Sequence, residues 1–241
     1  MTQSFHDLSI AERLNLTRRG TAHFSGQLAL IDNAEFGRDT LLPDWTVAHL
    51  AAHVAYNANA LCNLMHWAET GEETPMYSSP QARNEEIARG ATLIPDAIRN
   101  LHDHTLVRLD VAWRDLPEQA WQTEVKTAQG RTVPASETLW MRTREVWLHA
   151  VDLDVNAGFS DIPTVILQTL VPEIAGKWRG AGDGAGLVLV PEDGERIEVS
   201  PGENTVEIHG DWAGLARWAS GRGDRGVTSP QGEVPAPPRW L

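Results

Sequence analysis

The sequence predicts an α+β protein in two domains: an antiparallel four-helix bundle over residues 1–158 and a smaller α/β domain on an antiparallel sheet over residues 159–241. Three observations predict it. The first 155 or so residues carry helical apolar periodicity broken by Gly- and Pro-bearing stretches. Long helices with short connections pack most simply as an antiparallel bundle. After Gly158 the texture changes to short runs, "LVLV", "RIEVS" and "TVEIHG", separated by the turn signals "PEDGE" and "SPGEN".

The elements follow in order. "SIAE" at Ser9–Glu12 reads as a capping box opening a first helix that runs to about Asp32. "DNAEFGRDTLLPD" is a loop, and Thr46 is the N-cap of a second helix, "VAHLAAHVAYNANALCNLMHWAE". "TGEETPMYSSP" breaks that helix. Ser78 or Ser79 ahead of Pro80 starts a third helical region that reaches about Leu116, with a kink before Pro95. "QTEVKTAQGRTV" is a short hairpin, and a fourth helix runs from about Pro134 to Asn156, ending at Gly158. In the second domain, "IPTVILQTLVPEIAGKW" is a helix and Gly-rich "GAGDGAG" a linker. It lacks the Lys-Ser/Thr ending of a phosphate loop. Asp211 caps a short helix that Gly221 closes, ahead of a Pro-rich tail.

Composition narrows the function. Apolar content of 41% and charged content of 22% suit a globular chain, and the net charge of −13 repels phosphate backbones and anionic lipid heads. Nucleic acid and membrane are therefore excluded as expected partners, and an anionic substrate needs a local Arg or metal. No apolar run is long enough to span a bilayer, and the N-terminus lacks the features of a signal peptide. The single cysteine, Cys62, suits a cytoplasmic protein, and a monomer is expected.

Chemistry concentrates in two stretches. "REVWLHAVDLD" carries Glu145 and His149 four residues apart, one above the other on a helix face. Their apolar surroundings argue for burial, and a buried carboxylate needs a partner. "HLAAHVAYN" in the second helix supplies candidates: His49, His53 and Asn57 share one face at successive spacings of four. His53, or His49 one turn earlier, together with Glu145 and His149 makes a two-imidazole, one-carboxylate set. Such a set leaves a fourth position open, as catalytic zinc sites do, and iron, nickel and manganese remain compatible. Taken alone, a His four residues from a Glu is more often a surface pair. Asn57 either binds a ligand or holds backbone in the core. Asp152 either orients His149 or, as the favoured reading, pairs with Arg142. Cys62 lies nine residues from His53, about half a rotation around the helix, and faces away from the cluster.

"PDWTVAHLAAHVAYNANAL" together with "REVWLHAVDLD" resembles the DinB-like four-helix metal-binding superfamily and, more narrowly, the mycothiol-dependent maleylpyruvate isomerase family. "SGRGDRG" and "VPAPPRWL" resemble the Gly-Arg element and Trp-containing tail that end that family's C-terminal domain. The resemblance implies that His53, not His49, ligates zinc with Glu145 and His149. It also implies that Arg222 is a catalytic or binding residue, which sets the active site in a cleft between the two domains. The implied activity is isomerisation of maleylpyruvate to fumarylpyruvate in gentisate breakdown, with Zn²⁺ as cofactor and mycothiol as thiol cosubstrate. A mycothiol S-transferase and a non-enzymatic metal-binding sensor are the rival readings.

Overall fold

The computed structural model describes residues 3–240, which divide into two compact units: 10–157, and 158–240 joined by 3–9. The first unit holds α1 (Ile10–Ala29), α2 (Val47–Thr70), α3 (Pro80–Gly90), α4 (Pro95–Asp115) and α5 (Glu137–Asp152). A hairpin of β1 (Glu124–Lys126) and β2 (Thr132–Pro134) lies between α4 and α5, with Val125 opposite Val133. Helices α1, α2, α4 and α5 form the bundle. Small residues let its helices approach closely. A Cβ at Gly20 of α1 would lie 2.5 Å from the Trp147 indole nitrogen of α5, and the same seam is tied by a 2.7 Å hydroxyl bond between Thr17 and Thr143.

Four boundaries differ from the sequence reading. The first helix stops at Ala29, short of Asp32, because Arg99 of α4 donates to the carbonyls of Leu28 and Ile31 and so satisfies its open end. The expected kink before Pro95 is a complete break. Ile94 is extended (ψ 148°) ahead of Pro95, whose ring disfavours the helical conformation in the residue before it and which has no N–H of its own to give. The last bundle helix begins at Glu137, since Pro134 belongs to β2. It ends at Asp152, two residues before Asp154 takes left-handed φ of 52°, well ahead of Gly158.

Packing on α4 leaves one titratable group in the core. His102 is 1% exposed, and its Nε2 meets Ser25 Oγ at 2.9 Å. Burial first, and the Arg142 charge second, push its imidazole down from 6.5 to about 3. The unfolded chain therefore takes up a proton below pH 6.5 that the folded protein refuses, so the folded state loses stability between pH 6.5 and 3. At pH 5 this one group should remove about 2 kcal/mol, at 1.36 kcal/mol per unit. Urea midpoints at pH 7 and pH 5 should diverge less in His102→Gln than in the parent, and equal divergence would refute the assignment.

The second unit contains α6 (Thr164–Ala181), β3 (Leu187–Pro191), β4 (Ile197–Glu198), β5 (Val206–Gly210), α7 (Trp212–Ala219) and β6 (Val227–Thr228). Its sheet has the order β4-β3-β5-β6 and is mixed, not purely antiparallel as expected: β3 and β5 run parallel, Leu187 opposite Val206. The cause is a crossing after β4. Residues 199–205 carry the chain back past the start of β3, so that β5 enters on its other side. The approach is tight enough that a Cβ on Gly202 would lie 2.4 Å from the Gly186 nitrogen. Helices α6 and α7 meet through Trp178 and Trp218, ring centroids 5.8 Å apart. Asp211 caps α7 by accepting from the Gly214 N–H at 2.7 Å. Residues 3–9 group with this unit and not with the bundle, because buried Phe5 donates its N–H to Thr169 of α6 at 2.7 Å.

Candidate metal centre

Helices α2 and α5 bring His53, Glu145 and His149 together. His53 Nε2 lies 2.8 Å from Glu145 Oε2, and His149 Nε2 lies 3.1 Å from the same oxygen. The two imidazoles stand nearly perpendicular, centroids 5.1 Å apart. Among the described residues this is the one group of three His, Cys, Asp or Glu whose donor atoms fall within 4.8 Å of one another. The spacing of four on α5 places Glu145 below His149, and packing of α2 against α5 brings in the third donor.

The next ring of residues sets protonation. Asp152, with 0% exposure, accepts from His149 Nδ1 at 2.9 Å, which aims Nε2 at Glu145. Burial alone would lower the His149 pKa, but bonds to Asp152 and Glu145 outweigh it and push it up to about 9. Burial works against the Glu145 carboxylate too, yet His149 and His53 hold it well below the ordinary range. Burial lowers His53, only partly opposed by Glu145. Arg83 Nη2 sits 3.4 Å from His53 Nδ1. A guanidinium only donates, so here Nδ1 accepts and Nε2 carries the proton toward Glu145. Trp45 packs edge-on to the His53 ring, centroids 5.1 Å apart. Tyr77 lies beneath Arg83, 5.9 Å from ring centre to guanidinium, and burial pushes its phenol up to about 12.

The remaining candidates fall elsewhere. His49 Nδ1 meets Thr46 Oγ1 at 2.8 Å and the Thr46 N–H at 3.4 Å, so it closes the N-terminus of α2. Asn57 is buried, and its Oδ1 accepts from Arg142 Nη1 at 2.9 Å; the same nitrogen donates to the Val54 carbonyl at 2.6 Å. Arg142 therefore ties α5 to α2, while Asp152, its favoured partner from sequence, serves His149. Cys62 is buried at 7% exposure, and that burial pushes its thiol up. It is a poor nucleophile, and Cys62→Ser should keep most turnover; a folded but inactive variant would overturn this. Arg222 belongs to the second unit. It follows α7 and Gly221 (φ 80°), and its Nη1 donates to the Ser220 carbonyl at 2.6 Å. Arg83, Tyr77 and Trp45 were not legible from spacing, because none shares a helical register with the donors.

Residues 17–154 match the family model described as the mycothiol maleylpyruvate isomerase N-terminal domain, and residues 161–239 match the MDMPI C-terminal domain. The chain belongs to the mycothiol-dependent maleylpyruvate isomerase family. A solved structure described as the mycothiol-dependent maleylpyruvate isomerase is 64% identical over 99% of this chain and 100% of its own, with a TM-score of 0.97. A second, described as a mutant of that isomerase with one histidine changed to alanine, gives the same identity, coverage and TM-score. Comparison with curated proteins gave no match. Family membership accounts for both units at once, since each carries one of the two models.

Proposed function

We propose that His53, Glu145 and His149 hold a zinc ion that activates the mycothiol thiol for cis–trans isomerisation of maleylpyruvate. Family membership supports the reaction, and one observation carries the site: three donors converge from two helices while a buried carboxylate orients one of them. The donor set fits the ion. His53, Glu145 and His149 offer two imidazole nitrogens and a carboxylate oxygen within 4.8 Å of one another, the donor types that would hold a zinc ion. Two nitrogens and one oxygen leave a position for an incoming sulfur.

When bound, the ion lowers the pKa of a thiol, so that a thiolate is available near neutral pH. The protein's groups prepare for this. Asp152 keeps a proton on His149 Nδ1 and leaves Nε2 to coordinate. His53 must carry its proton on Nδ1 to coordinate through Nε2, and Arg83 must then turn away. The thiolate adds to the cis double bond while charge moves onto the conjugated carbonyl oxygen. The resulting single bond rotates, and loss of the thiolate restores the double bond as trans. Arg222 holds a carboxylate of the dianionic substrate against the protein's negative field. The setting is a cytoplasmic, monomeric enzyme of gentisate breakdown.

Product analysis with mycothiol and maleylpyruvate tests the reading. Fumarylpyruvate with mycothiol recovered supports it, a stable adduct would indicate an S-transferase, and no conversion by metal-loaded protein would refute it. Asp152→Asn should weaken zinc binding by about 10- to 100-fold, the usual effect of losing a partner behind a ligating His. Competition against a chelator measures this, and unchanged affinity would mean that Asp152 serves packing alone.

A further inference from the structure

A cavity of about 530 Å³ lies along α2, α3 and the segment between them, walled by Tyr56, Asn63, Tyr77, Ser78, Glu86 and Arg89. Its size falls within the range of roughly 300–1,000 Å³ typical of small-molecule sites. Resting on the mycothiol-dependent reading above, we infer that this groove seats the sugar portion of the thiol cosubstrate.

The wall chemistry selects the ligand class. A carboxylate and a guanidinium three residues apart on α3 offset each other, so the groove does not select an ion of either sign. What it offers is a mixture of donors and acceptors: Arg89 donates, Glu86 accepts, Ser78 does both, and the Asn63 carbonyl oxygen accepts. Hydroxyl groups also donate and accept, so a neutral, hydroxyl-rich molecule uses all four. Two phenol rings supply flat apolar surface for the C–H faces of sugar rings. The maleylpyruvate dianion gains little from this wall, because Glu86 offsets the attraction of Arg89.

Position supports the same assignment. Tyr56 follows His53 by three residues on α2, about 4.5 Å along the axis, and Asn63 lies about 10.5 Å further on, at 1.5 Å per residue. The groove thus starts within a turn of the donor cluster and extends away from it. Its inner end touches the cluster's surroundings, since Tyr77 underlies Arg83, which reaches His53 Nδ1 at 3.4 Å. Asn63 Nδ2 donates to the Pro75 and Met76 carbonyls at 3.2 and 3.4 Å, which holds the far wall in place. A cysteinyl arm at the inner end leaves the glucosamine and inositol rings along the groove.

The test uses Glu86→Ala, Arg89→Ala and the blocking change Ala82→Phe, all on exposed or half-buried positions of α3. Mycothiol binding to the metal-loaded, full-length protein is measured by calorimetry. Steady-state rates are measured with mycothiol and with N-acetylcysteine, which has the thiol arm but no sugar. We expect the mycothiol Kd and KM to rise about tenfold or more, with kcat, the maleylpyruvate KM and the N-acetylcysteine rate within about twofold. Unchanged mycothiol affinity in all three variants would overturn the inference, as would equal losses for both thiols. Wild-type protein that binds mycothiol yet makes no fumarylpyruvate would refute the isomerase reading alone, and the binding data would still decide the groove.

Discussion

His53→Ala should strip the proposed metal and stop isomerisation while the bundle stays folded. Structural zinc held by four ligands is worth roughly 10–16 kcal/mol, so one ligand accounts for about 3 kcal/mol and a loss of affinity of the order of 100- to 1,000-fold. Purified His53→Ala should therefore carry little zinc after dialysis and show no turnover above background. The fold should survive, because the related isomerase with one histidine changed to alanine still superimposes on this chain with a TM-score of 0.97. His49→Ala is the control. It loses the bond to Thr46 that closes α2, at a cost of about 1 kcal/mol in stability, and should keep its metal and activity. Full zinc in His53→Ala, with loss in His49→Ala instead, would reverse the two histidines and overturn the site.

Arg222→Ala should keep its zinc and lose most of its turnover. If the guanidinium grips a substrate carboxylate, losing that charged contact costs roughly 2–5 kcal/mol, about 30-fold to several thousand-fold in kcat/KM. Arg222→Lys should recover only part of this, since an ammonium cannot reproduce the planar two-pronged contact. Arg222 Nη1 donates to the Ser220 carbonyl two residues away, at the end of a short helix. Zinc content measured beside kinetics separates the two functions. Near-normal kcat/KM in Arg222→Ala would remove this residue from the reaction.

Some of the site could be read from spacing and some could not. Glu145 and His149 stack because a helix repeats every 3.6 residues, a property any observer of the sequence can use. His149 and Asp152, three apart, also share a face, yet Arg142 looked the better partner for Asp152 because opposite charges attract. The structure sends Arg142 across to Asn57 and the Val54 carbonyl, where a buried guanidinium finds acceptors on the facing helix. His49 and His53 were equivalent by spacing. What separates them is position in the helix: His49 is the third residue of α2 and turns back to Thr46, whereas His53 lies one turn deeper, 4% exposed, opposite Glu145.

Local rules therefore reach as far as each element's own backbone. The capped starts of α2, α3 and α7, the hairpin at Val125 and Val133, and the shared face of Glu145 and His149 follow from residues within a few positions of one another. Only tertiary structure decided the rest. The end of α1 is set by Arg99, some seventy residues away, and the parallel pairing of β3 with β5 by the close crossing of Gly186 and Gly202. The donor cluster itself joins positions 53 and 145, 92 residues apart, and Arg83 reaches the same imidazole from a third helix. Such pairings depend on how helices slide and rotate against one another. That register is chosen by the summed packing of many apolar side chains, and no short stretch of sequence encodes it.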